Sequence, residues 1–392
     1  MRILVLHNYY QLPGGEDTVF RAETALLGQH GHQVQRFVMT NQGLTANNRF
    51  RTAIETIWSW PAQKNLKKVI EDFQPSVVHF HNTFLRISPA AYYTCQSAGI
   101  PVVQTLHNYR LLCPAATFTR DGRICQECLD KAFLWPAVKH KCWRGSRAST
   151  AVVAAMLAMH RQIKTWQNRV DIYIALTEFS RQKFIQGGFA AQKIVVKPNF
   201  LSIDPDLGDN NGSFALFAGR ISPEKGLLTL IKACQHLPDI PLRIIGDGPQ
   251  AIDLKEKTAH DGLTQVDWCG AKTRDEVLGS IREARFIVFP SEWYETFGMV
   301  IIESFACAKP VIASRLGAMA ELVEEGKTGL LFEPGNAEDL AAKMRWAWEH
   351  KAEMQQMGEN ARCVYEAKYT PEKNYQMLMA IYEKAIENHR AL

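Results

Sequence analysis

Glu295-Thr-Phe-Gly-Met-Val-Ile-Ile-Glu303 carries two carboxylates separated by seven residues across a strand-to-helix turn. The residues before it, Phe286-Ile-Val-Phe-Pro290, form a short apolar, β-branched and aromatic run that reads as a strand. Gly298 marks the turn, and the helix continues through Glu303-Ser-Phe-Ala-Cys307. Such a turn aims backbone N–H groups and the positive end of a helix dipole into the crevice above a parallel sheet, where anions bind. Glu295 lies before the turn and Glu303 in the second helical turn, so both can face one ligand. Carboxylates beside an anion site make sense for a nucleotide sugar. The phosphates meet the amides, and each Glu accepts hydrogen bonds from sugar hydroxyls. Alone, this spacing also fits a solvated helix with two surface glutamates, so the rest of the chain has to decide.

Upstream, Phe214-Ala-Leu-Phe-Ala-Gly219-Arg220-Ile-Ser-Pro-Glu-Lys225-Gly226 precedes the helical Leu227-Leu-Thr-Leu-Ile-Lys-Ala233. This is strand, glycine turn and helix entry, with Arg220 and Lys225 bracketing the loop. It is neither a P-loop nor the G-x-G-x-x-G of dinucleotide folds. A planar guanidinium and a point-charge ammonium at a helix start suit a diphosphate. Leu242-Arg-Ile-Ile-Gly246-Asp-Gly248-Pro249 and Val266-Asp-Trp-Cys-Gly270 are two more strands ending in glycine turns. Each turn alone is ordinary α/β punctuation; their order is specific.

That order resembles the retaining glycosyltransferases of family four, which have the GT-B fold. The set comprises Gly14-Gly15, Gly219-Arg220-x4-Lys225-Gly226, Gly246-Asp-Gly-Pro249, Glu295-x7-Glu303, Lys309-Pro-Val-Ile-Ala313, Gly317 and Gly326-x-x-Gly329-Leu-Leu-Phe, and it spans essentially the whole chain. The resemblance implies an α/β protein of two Rossmann-like, doubly wound domains facing across a cleft. It implies that Arg220 and Lys225 neutralise the donor diphosphate, that Glu303 holds the ribose hydroxyls and that Glu295 contacts the transferred sugar. The amides of Phe297, Gly298, Met299 and Val300 would line the donor pocket together with Gly14, Gly15, Gly219, Gly246 and Gly270. His107 matches the family's active-site histidine, whose ring contacts the donor sugar. Retaining transfer of this type is expected to follow a front-face path in which the departing diphosphate takes the acceptor proton. No catalytic metal is expected, since cationic side chains replace it. Asp204-Pro-Asp206 spells the D-x-D of metal-dependent transferases, but it lies in the interdomain linker.

Composition fits a two-domain enzyme: 392 residues, 46% of them hydrophobic, exceed one ordinary domain and can build two cores. No apolar run reaches the roughly 20 residues that span a bilayer. The N-terminal Met1-Arg-Ile-Leu-Val-Leu-His7 reads as a strand rather than a signal peptide, and nine cysteines are an odd number. Together these features point to a reducing cytoplasm. The net charge of +5 is divided unevenly: residues 1–197 hold 24 basic and 11 acidic side chains, residues 198–392 hold 21 and 29. A basic first half suggests an anionic partner such as a membrane surface, a lipid diphosphate or a phosphorylated glycan. Arg49, Arg51, Lys64, Lys67 and Lys68, in and after the acid-poor stretch Asn41–Pro61, are the candidate contacts. No nucleic-acid motif accompanies the charge.

Strand–helix alternation in both halves predicts parallel, doubly wound sheets. Residues 1–197 form an acceptor-side domain with a Cys-rich insertion at 108–148. Residues 198–370 form the donor domain, and 371–392 a helix crossing back to the first domain. The polar stretch from Lys197 to Gly212 reads as the linker. His79-Phe-His81-Asn82 ends one strand and lines a pocket; the two histidines lack an evident third metal ligand. Cys113-x11-Cys125-x2-Cys128-x13-Cys142 fits a tetrahedral structural zinc, with His140 a substitute ligand and four free thiols the alternative.

The expected function is transfer of a sugar from a UDP- or GDP-linked donor to a glycan or lipid-linked acceptor. The setting is cell-surface polysaccharide or lipopolysaccharide biosynthesis, in the cytoplasm or peripherally at the inner face of the membrane. A nucleotide-sugar epimerase, a phosphorylase or a non-catalytic carbohydrate-binding protein of the same fold are the alternatives. The last would be expected to have lost part of the Arg220, Lys225, Glu295, Glu303 set.

Overall fold

The structure, a computed structural model, describes residues 1–11, 14–42, 49–208 and 212–390, with Arg49 described in its backbone only. The chain divides into two compact units. One is Met1–Phe118 with Cys125–Asn199 and Pro371–Leu392; the other is Thr119–Ile124 with Phe200–Thr370.

In the first unit the strands are β1 (Arg2–Tyr9), β2 (Gln33–Thr40), β3 (Val77–Asn82), β4 (Val102–Thr105), β7 (Ile172–Ala175) and β8 (Ile194–Val196). They form one parallel sheet in the order β2-β1-β3-β4-β7-β8. Between β4 and β7 lies the small antiparallel hairpin of β5 (Thr119–Arg120) and β6 (Arg123–Ile124). Central strands are apolar on both faces because helices cover both: Ile3, Leu4, Val5 and Leu6 of β1 are all buried. The helix Pro371–Arg390 adds Leu378, Ile381, Tyr382 and Ala385 to the core formed by Ile3, Val5, Val77 and Val103.

In the second unit β9 (Ala215–Ala218), β10 (Leu242–Ile245), β11 (Val266–Gly270), β12 (Phe286–Phe289), β13 (Val311–Ser314) and β14 (Gly329–Phe332) form another parallel sheet. Its order is β11-β10-β9-β12-β13-β14. Each order reverses direction once, between β1 and β3 in the first sheet and between β9 and β12 in the second. At such a switch point the loops leaving neighbouring strands diverge and open a crevice above the strands' carboxyl ends. The loops after β9 and β12 are the two that carry Arg220, Lys225 and Glu295.

Three features depart from the sequence reading. Helices Arg49–Ile57 and Trp60–Phe73 occupy the acid-poor basic stretch that carried no predicted element. Residues 43–48 of that stretch lie outside the described residues. Lys197, read as the opening of the linker, directly follows β8 and is buried, while 209–211 of the proposed linker lie outside the described residues. The insertion 108–148, assigned whole to the first domain, is also divided. Its hairpin, Thr119–Ile124, groups with the second unit. No helix among the described residues is long and apolar enough to cross a membrane.

Candidate functional site

In the second unit, Gly226 caps the short turn Pro223–Lys225 and starts the helix Leu227–Cys234 at φ +69°, where a Cβ would sit 1.9 Å from the Pro290 carbonyl oxygen. Only glycine lets the loop after β9 press backbone to backbone against the loop after β12. Gly246 does the same on the other side: a Cβ there would lie 1.8 Å from the Gly219 carbonyl oxygen. The Ile221 amide donates to the Asp247 carbonyl at 2.9 Å, completing the seam between the two glycine turns.

That seam places Lys225 where its Nζ donates to Glu295 Oε1 at 2.5 Å. Ser291 Oγ donates to the same oxygen at 2.8 Å, and the ammonium also lies over the rings of Trp293 and Phe289. Arg220 is exposed, and among the described residues its guanidinium makes no ion pair. The helix Met299–Ala306 begins at Gly298 in extended conformation, so the first-turn amides of Met299 and Val300 are available to an anion. Phe297 is buried and packs edge-on against Tyr369, so its side chain supports the turn from the core. Glu303 is also buried, and burial raises its carboxyl above the usual range although Arg274 Nε stands 3.6 Å away. Gly270 ends β11 at φ +69° and accepts from the Gly246 amide. Asp204 and Asp206 are committed to Arg362 at 2.7 Å and Arg282 at 3.0 Å, so the D-x-D is a pair of structural ion pairs.

In the first unit, the helix Gly15–Gln29 starts beside the end of β1, and Asp17 Oδ2 accepts from the Gly14 amide at 2.9 Å. A Cβ on Gly14 or Gly15 would meet nothing within 4 Å, so packing does not require these glycines. Beside them Glu16 accepts from Asn108 Nδ2 at 3.1 Å, and burial with the neighbouring Asp17 raises its carboxyl to about 8.

Behind these loops the carboxyl ends of β1, β3 and β4 gather four histidines. His7 Nε2 pairs with Asp17 Oδ1 at 2.6 Å and stacks on Phe20. His79 uses both ring nitrogens, with Tyr382 Oη and with Thr105 Oγ1, each at 2.8 Å. His81 Nδ1 lies 2.9 Å from His107 Nε2, and His81 Nε2 lies 3.3 Å from Glu23 Oε2. Glu23 in turn accepts from Lys197 Nζ at 2.5 Å. Burial lowers His79 to about 4 and holds His81 and His107 well below the usual histidine range, with neighbouring histidines and Lys197 adding to the effect. His81, His107, Asn82, Gln104 and Asn108 line a small cavity of about 30 Å³.

Glu23 thus supplies the third metal-type ligand that the sequence withheld: its carboxylate and the rings of His79 and His81 converge within 4.8 Å. The cation is already built in, however. Lys197 neutralises Glu23, and His79 has no ring nitrogen to spare. Neither Glu23 nor Lys197 belongs to a motif. Their only trace in the sequence is a charged residue at a core position of a helix and at the end of an apolar strand.

The four cysteines of the insertion are free thiols, Cys113 and Cys128 buried, Cys125 and Cys142 partly so. Burial pushes Cys128 up to about 11, opposed by the Ala137 amide and reinforced by Cys113, Cys142 and Cys125 around it. Among the described residues the sets of ligand atoms within 4.8 Å of one another are Glu23/His79/His81 and His7/Glu16/Asp17; the cysteines are not among them.

The family models match this architecture in sequence: "Glycosyltransferase Family 4" over residues 13–205 and "Glycosyl transferases group 1" over residues 203–364. The chain belongs to the family-four glycosyltransferases. It is 36% identical over 177 residues to an uncharacterised glycosyltransferase of Methanocaldococcus jannaschii, covering 45% of this chain and 49% of that one. It is 25% identical over 297 residues to the sulfoquinovosyl transferase of Arabidopsis thaliana, covering 75% and 54%. The matches therefore span about half the length of these relatives. Among solved structures, Anabaena HepE in complex with UDP and glucose superposes with a TM-score of 0.67 at 19% identity, covering 96% of this chain and 98% of that one. A glycosyltransferase from Rickettsia africae gives 0.71 at 17%, covering 99% of both. At these identities the likeness establishes the GT-B fold.

Proposed function

We propose that the protein is a retaining glycosyltransferase that moves a sugar from a UDP- or GDP-linked donor to an anionic glycan or lipid-linked acceptor, in the assembly of cell-surface polysaccharide or lipopolysaccharide. The observation that carries the reading is the contact of Lys225 with Glu295 at the switch point of the second sheet, beside the free start of the helix Met299–Ala306. A departing diphosphate gathers negative charge, and the anchored Lys225, the exposed Arg220 and the first-turn amides of Met299 and Val300 offer that charge positive partners. Glu295, next to the ammonium, takes the sugar hydroxyls, and Glu303 takes the ribose. The same arrangement explains why no side-chain base is needed: the phosphate oxygen released from the sugar accepts the acceptor's proton. Thermal-shift screening of nucleoside diphosphates, followed by donor hydrolysis with the matching nucleotide sugars, tests this. A stabilising diphosphate whose sugar conjugates are turned over is expected; no response to any nucleotide would overturn it.

The acceptor side rests on charge and exposure. Phe50 is 81% exposed and Trp60 61%, on helices that also carry Arg51, Lys64, Lys67 and Lys68 at the surface. In the insertion Phe133 is 80% and Trp135 69% exposed. Lys131 and Ile57 approach the same helix end, through carbonyls bonded to Arg161 and His160. Exposed aromatics flanked by Lys and Arg suit the interface of an anionic bilayer, peripheral at the cytoplasmic face, at about 1 kcal/mol per basic residue near the surface. The Arg49 side chain lies outside the described residues. Co-sedimentation with anionic vesicles, weakened by salt and by Phe50→Ser with Phe133→Ser, is the expected result. Equal binding to neutral vesicles, or none, would leave a soluble acceptor.

A further inference from the structure

Past the carboxyl ends of β3 and β4, two arginines of the first unit gather at one aromatic wall without an acid to balance them. The Arg110 guanidinium lies over the Phe84 ring at 4.3 Å and the Trp143 ring at 5.5 Å, and the two rings are themselves 5.6 Å apart. Contact with both rings restricts the cation. Its Nη1 donates to the Pro114 carbonyl, while its Nε is buried and has no partner among the described residues. A buried N–H without an acceptor is costly and asks for an explanation. Arg144 lies over the same Trp143 ring at 4.5 Å. It is exposed, and its Nη2 donates at 3.2 Å to Gln11 Oε1, a neutral partner. Arg144 also holds φ +54°, a left-handed conformation that non-glycine residues keep only where their surroundings enforce it. Neither arginine has an ion pair among the described residues. Glu16, whose field reaches Arg110, is engaged by Asn108 Nδ2 at 3.1 Å. Burial with Asp17 raises that carboxyl to about 8, so near neutral pH it is mostly protonated. Burial likewise raises the Tyr10 phenol beside Arg110, which stays neutral too.

We propose that Arg110 and Arg144 form a phosphate-binding subsite of the first unit, which holds a phosphate or diphosphate group of the acceptor. The assignment to an acceptor rests on the reading of the protein as a sugar transferase. Two like charges at one ring repel each other, and an anion held between them turns that repulsion into attraction. A phosphate has oxygens enough to serve two guanidinium forks, where a carboxylate has only two. Size points the same way. The cavity that Arg110 lines with Asn82, Thr83 and Asn108 measures about 30 Å³, room for about two waters. That suits the oxygens of a phosphate and is too small for a sugar ring. A lipid-linked diphosphate and a soluble phosphorylated glycan present the same group to it.

Calorimetry on the full-length protein tests this, with inorganic pyrophosphate as the probe and a saturating nucleoside diphosphate already filling the donor site. Pyrophosphate should bind at one additional site. Arg144→Gln, a change at an exposed position, should weaken that binding by about tenfold or more. Arg110→Lys, which keeps the charge but loses the fork, should do the same. No additional site, or a site indifferent to both substitutions, overturns the inference. Two further probes separate the sources of the phosphate, and either result supports the subsite. Capture by phosphatidylcholine vesicles carrying a polyprenyl diphosphate, lost in Arg144→Gln, identifies a lipid-linked acceptor. Displacement of pyrophosphate by glucose 1-phosphate identifies a soluble one. If no nucleoside diphosphate binds at all, the transferase reading fails, while the pyrophosphate titration run alone still decides the subsite.

Discussion

Lys225 and Arg220 are expected to contribute differently, because one is held and the other is not. Lys225 is fixed by Glu295 and by two aromatic rings, so it meets the leaving group preorganised. Lys225→Ala and Arg220→Ala should each lower turnover by about a hundredfold or more, with the more rigid Lys225 the costlier loss. Near-wild-type transfer by both would contradict the assignment. Glu303→Ala should chiefly weaken binding of the free nucleotide, and Glu295→Ala should chiefly reduce transfer. Calorimetry of the nucleoside diphosphate beside single-turnover rates separates the two. At this scale the motif residues of the second unit were legible because glycines bracket them, and Gly226, Gly246, Gly248 and Gly329 each answer to a backbone contact that a Cβ would occupy. Arg274, Glu23 and Lys197 were not legible, since a lone charged residue on a helix or strand looks solvated until its neighbours are placed.

At the scale of elements, alternating apolar strands and amphipathic helices gave the parallel sheets; strands buried on both faces lack polar alternation, and their shortness, β-branched and aromatic content and glycine turns set them apart from buried helices. The helices Arg49–Ile57 and Trp60–Phe73 escaped although Ala62, Leu66 and Ile70, buried at four-residue spacing, mark a helical stripe; the exposed Phe50, Ile54 and Trp60 and the basic residues beside them masked it. The Cys-rich insertion packs Tyr109, Leu112, Phe118, Leu134 and Ala137 into the interior but has little regular structure. It contains a hairpin of two-residue strands and several non-glycine residues at positive φ, among them Ala116, Phe118 and Asp121. A zinc ion drawing Cys113, Cys125, Cys128 and Cys142 together would add order there. Elemental analysis should find about one zinc per chain, lost in Cys125→Ser with Cys128→Ser. Protein prepared without chelator that carries no metal would rule the clip out.

At the scale of the whole molecule, the two units differ in how they meet acid. All of the twelve histidines except His236, His260 and His350 fall in the first unit. Burial depresses His79 to about 4 and lowers His81, His107 and His160. A depressed histidine binds fewer protons folded than unfolded, so its stabilising share is complete above the unfolded value near 6.5 and is lost as pH falls through the window toward 4. The second unit's lowered groups, Asp239 and Glu276, sit at about 2 and lose their pairing only in stronger acid. Hydrogen exchange followed from about pH 7 down to about pH 4.5 should therefore show the first unit opening before the second. Simultaneous loss of protection would argue against the histidines as the cause. The order of synthesis runs the other way from the order of domains. Tyr382, which bonds His79, and Leu378, Ile381 and Ala385, which complete the first core, are made after every residue of the second unit. On the ribosome the unit begun first is thus the last to be finished, and its histidine-rich interior waits, open to solvent, on the final helix.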